Sequence, residues 1–266
     1  ERAVREARAV IARTLDVTPA EIVFTSGGTE GNNLAIKGAA RALARRGRHI
    51  VTTAVEHAAV EAACRDLEEE GFRTTYVKPG PDGRVDPEEV AAAVTDETLL
   101  VSVMAVNNEV GAVQPLAEIA RALRAAGRGA GGARPLFHVD GVQGYLKVPL
   151  RPQETGIDLL TASGHKFHAP KGVGFLYVRR GVRLKALFGG GGHEGGLRSG
   201  TENVPGIVGL GAAASAIAAE GEAYHARLAA RKARFLAELS ARVPELSVNG
   251  PAGEGGAPHI VNLSFP

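Results

Sequence analysis

A cluster of polar and basic side chains follows an apolar run at residues 157–162 and precedes a second apolar run at 174–178. Both runs predict strands, so the cluster lies in the connecting turn, where an open sheet usually keeps its chemistry. Lys166 in this turn is a candidate nucleophile towards carbonyl groups, because a desolvated pocket favours the neutral amine. Most lysines lie on the surface with a solvated head, and Lys171, between a proline and a glycine, fits that description better. The turn therefore predicts Schiff-base chemistry at Lys166.

A glycine-rich turn, SGGTE at residues 26–30, separates a predicted strand at 21–25 from a predicted helix at 30–46. Glycines let the backbone approach a ligand closely, and the unpaired N–H groups of a helix start, together with the Thr29 hydroxyl, suit a phosphate group. The spacing matches neither G-x-G-x-x-G nor the Walker A motif, so it gives little support to a nucleotide site. A glycine turn with a threonine cap also begins many ordinary helices, and both interpretations stay open.

Asp140 ends a predicted buried strand at 135–139, and Gln143 follows one turn later. A buried carboxylate is costly unless a cation pairs with it, so this position favours a positively charged partner. Aspartate is also a good helix N-cap, and the sequence alone does not separate the two roles.

Thr29, Asp140 and Lys166 together match the needs of one cofactor, pyridoxal phosphate. That cofactor needs a cup for its phosphate, a carboxylate that keeps its ring nitrogen protonated and a lysine that bonds to its aldehyde carbon. The three residues lie in separate turns at the same edge of the predicted sheet. Their combination therefore predicts a pyridoxal-phosphate site, which no single member would do.

The elements that must position these residues alternate between helix and strand along most of the chain. The predicted helices cover 1–14, 30–46, 57–70, 86–94 and 115–126, and the predicted strands 21–25, 49–53, 72–77, 98–104, 135–139, 157–162 and 173–178. This alternation predicts an α/β fold with a mainly parallel sheet. A long alanine-rich helical stretch at 207–242 then changes the rhythm, and a strand pattern at 259–265 follows. We therefore predict a large domain at 1–210 and the start of a smaller α+β domain at 211–266.

The composition is that of an ordinary globular enzyme. The 31 basic and 29 acidic residues give a formal charge of +2, which provides no reason to expect a nucleic-acid or membrane partner. No apolar run approaches the roughly 18 residues of a membrane span, and the first residues predict an amphipathic helix rather than a signal peptide. A single cysteine, Cys64, excludes an internal disulfide. We predict a cytoplasmic protein without a metal site.

Six segments carry a family resemblance, in the order in which that family has them. They are FTSGGTEGNNLAIKG, EHAAV, VNNEVGAVQP, HVDGVQ, SGHKFHAPKGVGFLYVRR and GGGHEGGLRSGTENV. The chain resembles the pyridoxal-phosphate-dependent cysteine desulfurases of the class V aminotransferase family, in the branch that serves iron–sulfur cluster assembly. The resemblance covers essentially the whole chain. It implies a fold-type I transferase, with a mainly parallel seven-stranded sheet flanked by helices.

The resemblance implies roles for five residues around the cofactor ring. Lys166 would bond the cofactor and move protons, Asp140 would pair with the ring nitrogen, and Gln143 would hydrogen-bond the phenolic oxygen. His57 would stack over the ring and help to move protons, although a histidine exposed at a helix start is the alternative. Asn108 would face the substrate and the ring oxygen, although a buried asparagine satisfied by backbone groups is the alternative.

The resemblance also implies roles around the cofactor phosphate. The residues that would bind it within one subunit are Gly28, Thr29, Ser163 and His165. Thr201 would reach the phosphate of a neighbouring subunit, which implies a homodimer with shared sites.

Several features depart from the family pattern. The family attacks the substrate sulfur with a cysteine on a mobile C-terminal loop and holds the substrate carboxylate with a C-terminal arginine. Neither position exists before Pro266, and Cys64, inside a predicted helix, is better interpreted as a small packing residue. The chain begins inside a helix and ends on a strand pattern that needs a neighbour, so we expect it to be truncated at both ends. Because the nucleophilic cysteine is missing, we expect this chain to release no sulfur from cysteine. The insertion GRGAGGAR at 127–134 predicts a flexible surface loop.

The sequence thus predicts an enzyme that converts L-cysteine to L-alanine and delivers sulfane sulfur to a scaffold or sulfur-acceptor protein. Another class V enzyme, such as a selenocysteine lyase, epimerase or aminotransferase, would keep Lys166 and Asp140 and need no catalytic cysteine. A non-catalytic dimeric scaffold is a third alternative, although a scaffold has no need of Lys166. A Rossmann oxidoreductase based on GGGGHEGG is a poor fit, because those glycines lack the strand–helix start and the downstream acidic residue.

Overall fold

A seven-stranded sheet with helices on both faces forms the centre of the molecule. A computed structural model describes residues 1–251, 253 and 255–266. Over these residues the α-helices are α1 (Arg2–Leu15), α2 (Gly28–Leu43), α3 (Ala58–Glu69), α4 (Pro87–Ala92), α5 (Leu116–Ala126), α6 (Pro152–Thr155), α7 (Val204–Glu220) and α8 (Glu222–Arg242). The strands are β1 (Ile22–Thr25), β2 (His49–Thr53), β3 (Arg73–Val77), β4 (Thr98–Met104), β5 (Leu136–Asp140), β6 (Leu159–Ser163), β7 (Gly174–Val178), β8 (Ser247–Asn249) and β9 (Asn262–Ser264).

The strand order of the large sheet is β1-β7-β6-β5-β4-β2-β3. β7 runs antiparallel to both of its neighbours, and the other pairs are parallel. Strands β2, β4 and β6 are buried along their whole length, because α1, α5 and α7 cover one face of the sheet and α2 and α3 cover the other. The predicted α/β fold with a mainly parallel sheet is confirmed.

The carboxyl ends of the central strands meet at one edge of this sheet, where α2 also begins. Asp140 at the end of β5 pairs with Thr161 of β6. A Cβ atom at Gly31 would lie 2.6 Å from Cγ2 of Thr161, and one at Gly28 would lie 2.7 Å from Cγ2 of Val142. The two glycines therefore let the start of α2 pack directly against the strand ends.

The long helical stretch predicted at 207–242 is divided into α7 and α8. The two axes meet at an angle of 81°, with Gly221 between them at φ 53° and ψ −130°, a conformation that glycine adopts more easily than other residues. Leu210 and Ala214 of α7 are buried in the core, whereas Tyr224 is the buried residue of α8. The domain boundary near residue 210 stays a prediction.

No single helix within the described ranges has the length and apolarity needed to cross a membrane. The bent pair α7 and α8 meets both requirements only when the two helices are taken together.

The final strand has a neighbour within the chain. β9 pairs antiparallel with β8, and Gly256, in the segment between them, bridges to Ala112. The three residues of β8 are too few to show a periodic pattern in the sequence. The argument that the terminal strand lacks a partner is therefore wrong.

The insertion at 127–134 is anchored in the core. Ala130 is 3% exposed and packs in the apolar cluster on the α2 face of the sheet. Nη2 of Arg46 donates a hydrogen bond of 2.7 Å to the carbonyl oxygen of Ala130. The prediction of a surface loop is wrong at this residue, because burial of its methyl group is favourable and the flanking glycines let the backbone turn inwards.

Candidate active site

A cavity of about 280 Å³ opens at the carboxyl edge of the sheet. Nine of the ten predicted site residues line this cavity, namely Gly28, Thr29, His57, Asn108, Asp140, Gln143, Ser163, His165 and Lys166. The sequence analysis assigned no role to its other lining residues, which are Asn32, Met104, Val106 and Val142. Thr201, the tenth predicted residue, is exposed and is not part of this lining.

Lys166 lies in a 3₁₀ turn that directly follows β6. The next residue, Phe167, is 1% exposed and packs edge-on against Tyr145, with ring centroids 5.0 Å apart. A Cβ atom at Gly164 would lie 2.8 Å from Leu210 and 2.9 Å from a backbone oxygen, so the turn requires glycine there. Burial of Phe167 thus fixes the turn, while the half-buried Lys166 lines the cavity.

Asp140 is a buried carboxylate with uncharged hydrogen-bond donors. Its Oδ1 accepts from the backbone N–H of Val142 at 2.9 Å, and its Oδ2 accepts from Nδ2 of Asn32 at 2.6 Å. Burial raises the pKa of Asp140, and these two donors oppose the rise. The helix N-cap alternative does not hold, because residues 142–147 form turns rather than an α-helix. The site therefore favours a cation beside Asp140.

The start of α2 offers unpaired backbone N–H groups to the cavity. Its N-cap is Gly27, which makes no side-chain cap bond, and Thr29 is the second residue of the helix rather than its cap. Ser163 packs beside this helix start, and its Oγ lies 2.9 Å from Nδ1 of His165 in hydrogen-bond contact. The arrangement of a helix N-terminus with hydroxyl groups suits a phosphate.

His57 lies both at a helix start and at the cavity. It is the exposed N-cap of α3, and its Nδ1 accepts a hydrogen bond of 3.1 Å from the backbone N–H of Ala59. It also lines the cavity. The bond to Ala59 assigns the ring hydrogen of neutral His57 to Nε2, so this ring can donate to a bound group.

Asn108 and its neighbour Asn107 have different surroundings. The buried Asn107 side chain donates to the carbonyl oxygen of Val55 at 3.1 Å and accepts from the N–H groups of Glu109 and Val110 at 2.9 and 2.8 Å. Asn108 is half-buried and lines the cavity. The alternative of a buried asparagine satisfied by the backbone therefore describes Asn107 and not Asn108.

Thr201 follows a loop that ion pairs hold against the domain. The Glu194 carboxylate accepts two hydrogen bonds from Arg8, at 2.6 and 2.7 Å. Nε of Arg198 donates to Glu30 in the first turn of α2 at 2.9 Å. The role of Thr201 in a neighbouring site stays a prediction, as do the roles of the other nine residues.

Glu56 is a second carboxyl group beside the cavity that the sequence analysis left unassigned. Its Oε1 accepts from the Thr53 hydroxyl at 2.8 Å and from the backbone N–H of Met104 at 2.9 Å. Its Oε2 is buried without a partner among the described residues. Burial raises the pKa of Glu56 to about 8; the Thr53 hydrogen bond opposes the rise, and the Asp140 carboxylate adds to it. Glu56 is therefore a neutral acid at pH 7.

Replacing Glu56 with glutamine is expected to change how stability depends on pH. An unfolded chain releases the Glu56 proton near pH 4.5, whereas the folded protein keeps it up to about pH 8. Because the folded state binds the extra proton in this window, stability falls as the pH rises through it. Glu56→Gln removes this pH dependence. As the pH rises through the window, the free energy of unfolding of the variant therefore increases relative to that of the wild type by on the order of 2–4 kcal/mol.

Chemical denaturation at pH values across this window measures the difference. Glu109→Gln, which changes an exposed carboxylate, serves as the control. A constant difference between Glu56→Gln and the wild type over the whole window would contradict the assignment of a neutral acid.

The mainly parallel seven-stranded sheet, with a lysine and a buried aspartate in a cavity at its carboxyl edge, is the architecture of fold-type I transferases. The family described as Aminotransferase class-V matches residues 1–266, and the chain belongs to that family.

Similar proteins include a curated cysteine desulfurase, which confirms the resemblance. The cysteine desulfurase IscS of Anaeromyxobacter dehalogenans (strain 2CP-C) is 46% identical over 267 residues, which cover 100% of this chain and 64% of that protein. The crystal structure of DndA from Streptomyces lividans matches with a TM-score of 0.90 and 43% identity, over 99% of this chain and 73% of that chain. SspA in complex with cysteine matches with a TM-score of 0.85 and 36% identity, over 100% of this chain and 72% of that chain. The chain thus spans about 64% of the length of the curated relatives it matches.

Proposed function

We propose that the whole protein containing this chain is a pyridoxal-phosphate-dependent cysteine desulfurase of the cytoplasm. It converts L-cysteine to L-alanine and passes sulfane sulfur to a scaffold or acceptor protein for iron–sulfur cluster assembly. The observation that carries this proposal is the single cavity that combines an amine, a buried carboxylate and an uncapped helix N-terminus. Similarity to a protein named as a cysteine desulfurase, and to one solved with cysteine, supports the choice of substrate.

The residues around the cavity fit pyridoxal phosphate. The Asp140 carboxylate is buried with two uncharged donors, so a protonated ring nitrogen would supply the cation that it lacks. The N–H groups at the start of α2 and the hydroxyl groups of Thr29 and Ser163 suit the phosphate. Lys166 lines the same cavity and supplies the amine that would hold the cofactor covalently.

When bound, the cofactor supplies an electron sink for bond cleavage at the α-carbon of the substrate. Asp140, held by two N–H donors, gives the ring nitrogen a fixed negative counter-charge. Lys166 takes up and returns the proton of the α-carbon through its amine. His57, with a hydrogen on Nε2, donates to a polar group bound in the cavity.

Cys64 does not accept the sulfur in this proposal. Its side chain is fully buried in α3, and burial raises the pKa of its thiol to about 12. A thiol attacks only as the thiolate, so Cys64 is inert where it lies. The structure supports the interpretation of Cys64 as a packing residue.

The proposal is tested by giving L-cysteine to the whole protein loaded with pyridoxal phosphate, in the presence of a reducing thiol. We expect alanine and sulfide in equal amounts, at the same rate in a Cys64→Ala control. Reaction with L-selenocysteine or with an amino-acid and keto-acid pair, but not with L-cysteine, would identify another class V enzyme. A folded dimer that transforms none of these compounds would identify a scaffold.

A homodimer with shared sites is part of the proposal, and it predicts complementation between two impaired variants. Lys166→Ala removes the amine from a subunit's own site, whereas Thr201→Val removes a phosphate contact from the neighbour's site. A mixed dimer then contains one intact site, because both defects fall on the same cavity. Random exchange of equal amounts therefore restores roughly a quarter of the sites.

Desulfurase activity before and after subunit exchange measures the complementation. Absence of any recovery, in mixtures shown by mass to contain mixed dimers, would place Thr201 in its own subunit's site or outside both. Lys171→Ala, an exposed lysine in the same connection, serves as the control partner for exchange.

A further inference from the structure

A buried amide in α2 lies beside the candidate cofactor carboxylate. Asn32 is 1% exposed, and the other buried residues of α2 are glycine, alanine, leucine and isoleucine. Burying an amide is unfavourable unless it is hydrogen-bonded. The position of Asn32 therefore requires a specific partner.

That partner is Asp140, at the end of β5. The 2.6 Å bond from Nδ2 of Asn32 to Oδ2 of Asp140 is a short hydrogen bond to a charged group. Val142 donates to the other carboxylate oxygen at 2.9 Å, so each oxygen has one donor and rotation of the carboxylate would break both bonds. Gly28 and Gly31 make this contact possible, because they bring α2 against the strand ends.

The same bond affects the charge of Asp140. Burial raises the pKa of this carboxyl, and the donors Val142 and Asn32 lower it. Oδ1 of Asn32 is buried without a partner among the described residues. Asn32 and Asp140 both line the cavity, so the amide acts where a ligand would meet the carboxylate.

We propose that Asn32 is a positioning residue, whose amide holds Asp140 in the orientation and charge state in which it meets the ring nitrogen of the cofactor. The inference rests on the proposed function. Cofactor chemistry by itself requires the Asp140 carboxylate but not an amide beside it, so Asn32 is an additional residue of the site.

The test compares Asn32→Leu with Gln114→Leu in the full chain. Leucine has the same number and branching of side-chain heavy atoms as asparagine and removes the donor. Gln114 is a matched control, because it is 3% exposed and its amide bonds to the backbone of Gly83 and Val85 without lining the cavity. Both changes remove a buried amide, so both lower the melting temperature.

Two readouts separate positioning from a merely structural role. The first is the titration of the Asp140 carboxyl in the protein without cofactor, followed by ¹³C NMR and assigned with Asp140→Asn. The second is the dissociation constant of pyridoxal phosphate as a function of pH. We expect Asn32→Leu to shift the titration to higher pH and to weaken binding at neutral pH about tenfold, the effect of losing one hydrogen bond to a charged group. As the pH is lowered, the affinity of this variant for pyridoxal phosphate then begins to fall at a higher pH than that of the wild type.

Asn32→Leu that behaves like Gln114→Leu, with unchanged titration and unchanged affinity, would overturn the inference. Should Asn32→Leu fail to fold, Asn32→Ala is measured in the same way. A wild-type protein that binds no pyridoxal phosphate would instead overturn the proposed function, and the Asp140 titration would still decide whether Asn32 sets its charge.

Discussion

Replacing Lys166 with alanine is expected to abolish covalent attachment of pyridoxal phosphate and to slow alanine formation by about 10²–10⁴-fold or more, because a positioned proton-transfer group is lost together with the covalent anchor. The start of α2, where the cofactor phosphate would bind, is unchanged in this variant, so weak non-covalent binding is expected to persist. Reduction with borohydride followed by peptide mapping locates the label in the wild type and shows its loss in the variant. Lys171→Ala, which changes an exposed lysine in the same connection, keeps both label and activity.

A label on Lys147 would contradict this assignment. Lys147 is 8% exposed, and burial lowers its pKa to about 8, with the charge of Lys166 adding to the effect. It is therefore the amine in the neighbourhood best able to compete with Lys166. Lys147 does not line the cavity, and we expect it to stay unlabelled.

Replacing Asp140 with alanine is expected to slow alanine formation by about 10²–10⁴-fold, because removing one partner of a buried ion pair costs about 3–5 kcal/mol. The amine of Lys166 is untouched, so borohydride still labels it at high cofactor concentration. The variant thus separates loss of the counter-charge from loss of the covalent anchor. Titration of cofactor binding and steady-state rates measure the two effects.

Asp158→Ala is the matched control for Asp140→Ala. Asp158 is also fully buried, but it pairs with Arg134 and Arg179, and none of the three lines the cavity. Its loss is expected to lower stability and leave cofactor affinity unchanged. Equal effects of the two substitutions on affinity would mean that Asp140 acts through the fold and not on the cofactor.

The position of the site could be predicted because its residues stand where apolar strands stop. Asp140 and Lys166 each follow a largely apolar, buried run, and parallel strands bring their carboxyl ends to one edge. Asn32 had a weaker signal, since it lies one helical turn after Gly28 on a face that continues with Ile36. A polar residue on an otherwise apolar face indicates a buried partner, but only the folded chain shows that this partner is Asp140.

Other parts of the structure had weak or no local signals. Gly221 is a possible break, but glycines at 206, 209 and 211 lie inside α7, so its position alone did not separate α7 from α8. Glu56 lies between β2 and α3, where its sequence position is typical of an ordinary polar residue before a helix start and does not indicate burial. Its enclosure depends on Met104 of β4, which is distant in sequence. Tertiary contacts set these features, and sequence periodicity does not record them.

The antiparallel direction of β7 has a consequence for redesign of the protein. The connection that carries Lys166 joins β6 directly to its antiparallel neighbour β7, and Ser163 at the end of β6 pairs with Gly174 at the start of β7. It contains no crossover helix, so a change in its length would not be absorbed elsewhere. Lys171 is exposed and can be varied, whereas His168, although exposed, has φ 69° and so favours glycine, asparagine or aspartate in its place. Insertion or deletion of a residue there would displace the amine from the rest of the cavity. The composition of this hairpin is therefore partly open to engineering, while its residue count is fixed.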